Sequence, residues 1–149
     1  MSLVNQNTKH IRLLTLLIAV LVVGLRANAA EAAPLGQRLV ELESHIKWSA
    51  VDNAWKGIRA RWVATTAACD EPQCVGQQLL ELEAHTKWKA VDAAWTKRRT
   101  GWVDDCKAVT THVEAAKLLL EFEQNVGWQA VDEGWKSRRA GWVAQVKGD

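Results

Sequence analysis

The chain of 149 residues lacks the local signatures of the common enzyme classes. It contains no GxSxG, no Walker A motif and no GxGxxG, so a nucleophile elbow, a phosphate-cradling loop and a dinucleotide-binding turn are all missing. CxxC, HExxH and CxxCH are absent too, which removes the usual redox, zinc and haem-attachment spacings. Proline occurs twice, and neither falls within 39–63, 79–103 or 119–143, leaving those stretches free to be helical. The most apolar stretch, Leu13 to Leu25, is thirteen residues, whereas a membrane span needs about 20.

That stretch has another reading. Lys9 and Arg12 precede it and Ala27-Asn28-Ala29 follows. A basic start, a short apolar core and a small-x-small site make a secretory signal over 1–29, with a second candidate cut after Ala32. The expected mature protein is one helical domain, 30–149, periplasmic or secreted. Removing Lys9, Arg12 and Arg26, with no acids, takes the formal charge from +2 to −1. The mature chain then has no electrostatic case for nucleic acid.

What the chain has in abundance is tryptophan, nine residues of it. They fall at Trp48, Trp55 and Trp62, at Trp88, Trp95 and Trp102, and at Trp128, Trp135 and Trp142. The step within each set is seven residues, and from set to set each position recurs forty residues on. In register, the segments 39–63, 79–103 and 119–143 share eleven of 25 positions. In the first copy these are Leu39, Glu41, Glu43, Trp48, Ala50, Val51, Asp52, Trp55, Arg59, Trp62 and Val63. A period of this size marks one supersecondary unit per repeat.

Each segment is rich in helix formers, and Glu43–Lys47 and Glu83–Lys87 have the spacing of favourable i,i+4 pairs. The expected fold is all-α: a three-helix up-down-up bundle, one helix per ~40-residue repeat, with loops near ten residues around 65–74 and 105–112. The alternative is a short α-solenoid of helical hairpins. The helical wheel lends this alternative force. Leu39, Leu42 and Ile46 share one face, and the stripe that starts at Trp48 lies on nearly the opposite one. Gly127 is the one residue at the switch that favours a break.

Trp48, Asp52, Trp55, Arg59 and Trp62 are spaced +4, +3, +4, +3, which aligns them along one narrow strip of a helix. Glu41 and His45 extend it. The strip recurs as Trp88, Asp92, Trp95, Arg99, Trp102 and as Trp128, Asp132, Trp135, Arg139, Trp142, with Asn125 in the place of His. As core, the strip is a bundle seam, with Ala54, Ala94 and Gly134 making room for indoles and Asp of one helix meeting Arg of the next. As a binding face, indoles flanked by Asp and Arg suit sugar rings, flat aromatic ligands or quaternary amines. Three copies would then grip a repetitive target such as peptidoglycan. A membrane-interface role is the weaker reading, because the helices lack a strongly cationic face.

Cys69, Cys74 and Cys106 are the only cysteines. In a straight-helix bundle Cys74 and Cys106 stand at opposite ends of the second helix, so Cys69–Cys74 is the expected disulfide. Cys106 is left as a free thiol, available for dimerisation. Glu41 with His45 and Glu81 with His85 have i,i+4 spacing for a shared metal, but Asn125 breaks the set, so no metal or cofactor is expected.

Trp-x3-Arg, at Trp55–Arg59, Trp95–Arg99 and Trp135–Arg139, resembles a motif of the LprI-type lysozyme-inhibitor domains, which are small, exported, helical and cysteine-bearing. The resemblance covers one short motif, from which the nine-tryptophan pattern departs. It implies an inhibitor of a cell-wall hydrolase. The residues themselves point to an exported, non-enzymatic repeat protein that binds a partner protein or envelope glycan through the Trp/Asp/Arg strips. The competing readings are a purely structural bundle with a Trp core and a small-molecule, haem or metal carrier.

Overall fold

A computed structural model describes residues 33–87, 93–127 and 129–148. Segment 1–29, expected from the sequence to be a secretory signal, lies outside the described residues, as do Trp88, Asp92 and Trp128.

The fold is all-helical, but with six helices among the described residues in place of the three expected. They are α1 (Leu35–Ser44), α2 (Asn53–Ala67), α3 (Pro72–His85), α4 (Ala93–Ala108), α5 (His112–Val126) and α6 (Glu133–Lys147). The first and third segments read as single helices are each broken near their middle, between α1 and α2 and between α5 and α6. In the second, α3 ends at His85 and α4 begins at Ala93.

The break has a local cause. After α1 the chain extends at Lys47, makes one 3₁₀ turn at Trp48–Ala50, and extends again through Val51 and Asp52. Asp52 is the N-cap of α2: its side chain accepts the backbone N–H of Trp55 at 2.9 Å. Asp132 caps α6 in the same way, accepting from Trp135 at 3.0 Å. Capping satisfies a helix-start donor that a continuous helix would already have bonded. At the third bend Gly127 has φ +76°, a conformation that costs glycine little. Glu43 and Lys47 therefore share no helix, and the expected i,i+4 pair is replaced by other partners.

The connections between hairpins are shorter than expected. Pro72 occupies the first turn of α3, so only 68–71 separate α2 from α3. α4 and α5 are separated by 109–111, where Thr111 and Glu114 form a capping box that starts α5.

Breaking each segment resolves the switch of apolar faces. α1 packs on α2, α3 on α4 and α5 on α6. The leading helices α1, α3 and α5 also pack on one another. Each trailing helix then lies on the next leading one: α2 on α3, α4 on α5, and α6 back on α1. Leu39, Leu42, Leu79, Leu82, Leu119 and Phe122 are fully buried in this core, and so are six indoles, Trp55, Trp62, Trp95, Trp102, Trp135 and Trp142. Indole N–H groups stitch successive hairpins together. Trp62 donates to the Gln78 carbonyl at 3.1 Å, Trp102 to that of Leu118 at 3.2 Å, and Trp142 to that of Arg38 at 3.0 Å.

Close approach within the first two hairpins depends on glycine. A Cβ on Gly36 would overlap the carbonyl oxygens of Thr66 and Cys69, and one on Gly76 would overlap that of Cys106. By contrast Ala54, Ala94 and Gly134 are exposed. They make no room for indoles, because they lie in the solvent-facing first turns of their helices.

The disulfide joins Cys69 and Cys74, with Cα atoms 5.6 Å apart. The bond is the expected one, but the ground for expecting it was not sound. The hairpin returns α4 along α3, so Cys106 lies against Gly76 and not a helix length away from Cys74. Cys106 is free but only 1% exposed, and burial pushes its thiol up to about 12. A thiol in the core, held protonated, does not present itself for dimerisation. Among the described residues no helix is long and apolar enough to cross a membrane.

Candidate functional site

The strip of Trp, Asp and Arg separates into three environments once the backbone bends. Its Trp55 and Trp62 positions are core in every copy, with exposures of 0–1%. Within each trailing helix the two indoles meet edge to face, with centroids 5.1 Å apart for Trp55–Trp62, 5.6 Å for Trp95–Trp102 and 5.1 Å for Trp135–Trp142. Trp48 differs. It is 54% exposed, with the Arg59 guanidinium 5.6 Å from its ring centroid.

The arginines do not meet the aspartates of a neighbouring helix, as the seam reading expected. Each reaches back within its own hairpin to a buried glutamate. Arg59 Nε and Nη2 donate to Glu43 at 2.6 and 2.7 Å, and Arg139 holds Glu123 the same way at 2.6 and 2.8 Å. Arg99 pairs with Glu83. Glu43 and Glu123 also accept the indole N–H of Trp55 at 3.0 Å and of Trp135 at 3.1 Å. These glutamates are 3–8% exposed, and a buried carboxylate persists only when paired and hydrogen-bonded. The pairing raises the pKa of Arg59, Arg99 and Arg139 above the ordinary guanidinium value, the glutamate hydrogen bond being the main cause.

The aspartates meet histidines of another hairpin. His85 Nδ1 lies 2.9 and 3.0 Å from the Asp52 carboxylate oxygens, and His45 Nδ1 lies 2.9 and 3.1 Å from those of Asp132. The ionised carboxylate only accepts, so the ring N–H donates. Short backbone bonds run alongside. Asp52 N–H donates to His85 O at 2.9 Å, and Lys87 N–H to Ala50 O at 2.7 Å. Asp132 N–H donates to His45 O at 2.9 Å, and Lys47 N–H to Ala130 O at 2.8 Å. Both aspartates are held below the ordinary carboxylate range, first by the histidine hydrogen bond.

In this wiring the Glu and His of each i,i+4 pair face different partners. Glu41 is bonded to Arg138 and Glu81 to Arg61, while the histidines turn to the aspartates. Among the described residues no group of three or more His, Cys, Asp and Glu is placed to hold a metal ion.

Two clefts open at equivalent bends. The first, about 120 Å³, is lined by Glu43, Ser44, Ile46, Trp48, Val51, Trp55 and Arg59. The second, about 220 Å³, is lined by Glu123, Gln124, Gly127, Val131, Trp135 and Arg139. Each has a buried indole, a glutamate–arginine pair and a valine from the extended stretch. Reading the strip as one helical face missed Glu43, Glu83 and Glu123 as the arginines' partners. The signal was present: Glu43 is identical in all three copies yet lies off the strip.

Residues 33–87 match the family described as Domain of unknown function (DUF8799), a span that covers the first hairpin and α3. No curated protein and no solved structure is similar to the chain.

Proposed function

We propose that the protein is an exported, non-enzymatic helical repeat protein that binds a partner protein or envelope component at its bend clefts. The observation that carries this reading is the outer tryptophan. Trp48 is the one described indole left half in solvent, and it stands at the mouth of a cleft whose lining recurs 80 residues later. A large exposed aromatic beside a concavity is what a recognition surface offers. The inner tryptophans, with their Glu and Arg partners, serve as the rigid frame. Repetition of Trp48 as Trp88 and Trp128 in the sequence supports multivalent attachment.

The purely structural reading is favoured by a separate observation, the complete burial of six indoles. The two readings divide on acrylamide quenching of the purified protein, with and without isolated cell-envelope material. Binding predicts a quenchable component that Trp48→Ala diminishes and that the envelope protects. A quenchable component that the envelope leaves unprotected, with unchanged co-sedimentation of Trp48→Ala, removes the binding reading.

A further inference from the structure

We infer that the bend cleft takes an uncharged, hydroxyl-bearing ring, one sugar unit of a glycan, and neither an anion nor a quaternary amine. The inference rests on the proposed use of that cleft. Sequence alone left sugars, flat aromatics and cationic amines equally open, because Asp52 and Arg59 flank the indoles. The structure shows both charges already committed. The Arg59 guanidinium donates twice to Glu43, and the same carboxylate takes the Trp55 N–H. Asp52 is occupied by His85 of another hairpin and by the backbone N–H of Trp55 in the helix it caps. The equivalent cleft is neutralised in the same way, Arg139 on Glu123 and His45 on Asp132.

A charged ligand entering such a cleft would lose water without gaining a counter-charge, since the protein's own pairs would have to break to supply one. An uncharged ring does not carry that penalty. The part of the Trp48 ring that Arg59 leaves exposed offers apolar area. The lining offers Ser44 in the first cleft, whose hydroxyl donates to the Glu41 carbonyl and can still accept, and Gln124 in the second. Hydroxyl groups can bond with these side chains, which a bare aromatic ring cannot. The volumes, about 120 and 220 Å³, are below the usual range for drug-sized ligands and suit a single ring. One such contact is weak, and a repetitive glycan engaging several copies gains through effective concentration.

The test follows the Trp48 indole N–H resonance of the full chain by NMR during titration with an N-acetylglucosamine tetramer, choline or benzoate. The tetramer is expected to move the resonance saturably while the two charged probes do not. Trp48→Ala, checked to retain its unfolding midpoint, is expected to weaken tetramer binding about tenfold, the loss of one aromatic contact. A shift with choline or benzoate but not with the tetramer overturns the inference. So does tetramer binding that Trp48→Ala leaves intact, or a resonance that none of the probes moves. Co-sedimentation with isolated envelope material separates the two levels. If it persists and depends on Trp48 while the tetramer is silent, the sugar assignment fails and the broader binding reading stands. If both are silent, both fail.

Discussion

Trp48 and Trp55 are seven residues apart in one heptad pattern, and on a continuous helix they would share one face. In the fold Trp48 is 54% exposed under a guanidinium, while Trp55 is fully buried with its N–H on Glu43. The bend between them separates the two. Trp48 belongs to a 3₁₀ turn outside the helices, and Trp55 to the first turn of α2 behind the Asp52 cap. A side-chain spacing carries meaning only along one continuous helix, and a cap in the middle of a stripe resets it.

The largest expected effect tests that contrast directly. Trp62→Ala removes a fully buried indole and its bond to α3, and is expected to lose about 3–5 kcal/mol in urea unfolding. Trp48→Ala is expected to stay within about 0.5 kcal/mol, as exposed substitutions do. Equal losses would show that the two indoles share one environment.

Glycine sharpens the same point. Gly36→Ala places a methyl against the Thr66 and Cys69 carbonyls, with little room to give, and is expected to destabilise by about 1–3 kcal/mol. Gly57→Ala, in the exposed middle of α2 with nothing within 4 Å, is expected to stabilise by up to about 1 kcal/mol through helix propensity. Matching signs in thermal melts would contradict the close packing of α1 on α2. Replacing Cys69 and Cys74 by serine opens a short loop and is expected to cost about 2 kcal/mol, read as a lower urea midpoint.

The smallest expected effect lies at the clasps. Asp52 and Asp132 have folded pKa values below their unfolded ones. Their contribution is therefore complete above the unfolded value, near pH 4, and is lost as pH falls through the folded value. His85→Asn removes the main cause of the Asp52 shift and copies the residue found at Asn125. Urea unfolding between pH 2 and 6 is expected to show a shallower acid limb for the variant. Identical limbs would mean that the clasp does not hold Asp52 ionised.

The candidate site was legible in its parts and illegible in its pairings. Trp, Asp and Arg at forty-residue recurrence stood out, but the strip paired them by helical spacing. The true partners, Glu43 for Arg59 and His85 for Asp52, are sixteen and 33 residues away. Two start signals went unused. Asp52, three residues before Trp55, is an N-cap, and Thr111-x-x-Glu114 is a capping box. Both are hard to see among neighbours that are themselves good helix formers. Gly36 and Gly76 recur forty residues apart, just outside the aligned segments, so their role in helix contact was missed.

By itself the sequence determined the helical class and the forty-residue recurrence, because propensity and identity are local properties of the chain, whereas the choice of Cys74 over Cys106 as the partner of Cys69 was settled only by the fold. Which indoles are core and which meet solvent, and which acid each base holds, was decided only in the tertiary structure. A hairpin bend turns one face into two, and the partners it brings together come from other hairpins or from the far arm of the same one. No spacing along a single helix encodes those contacts.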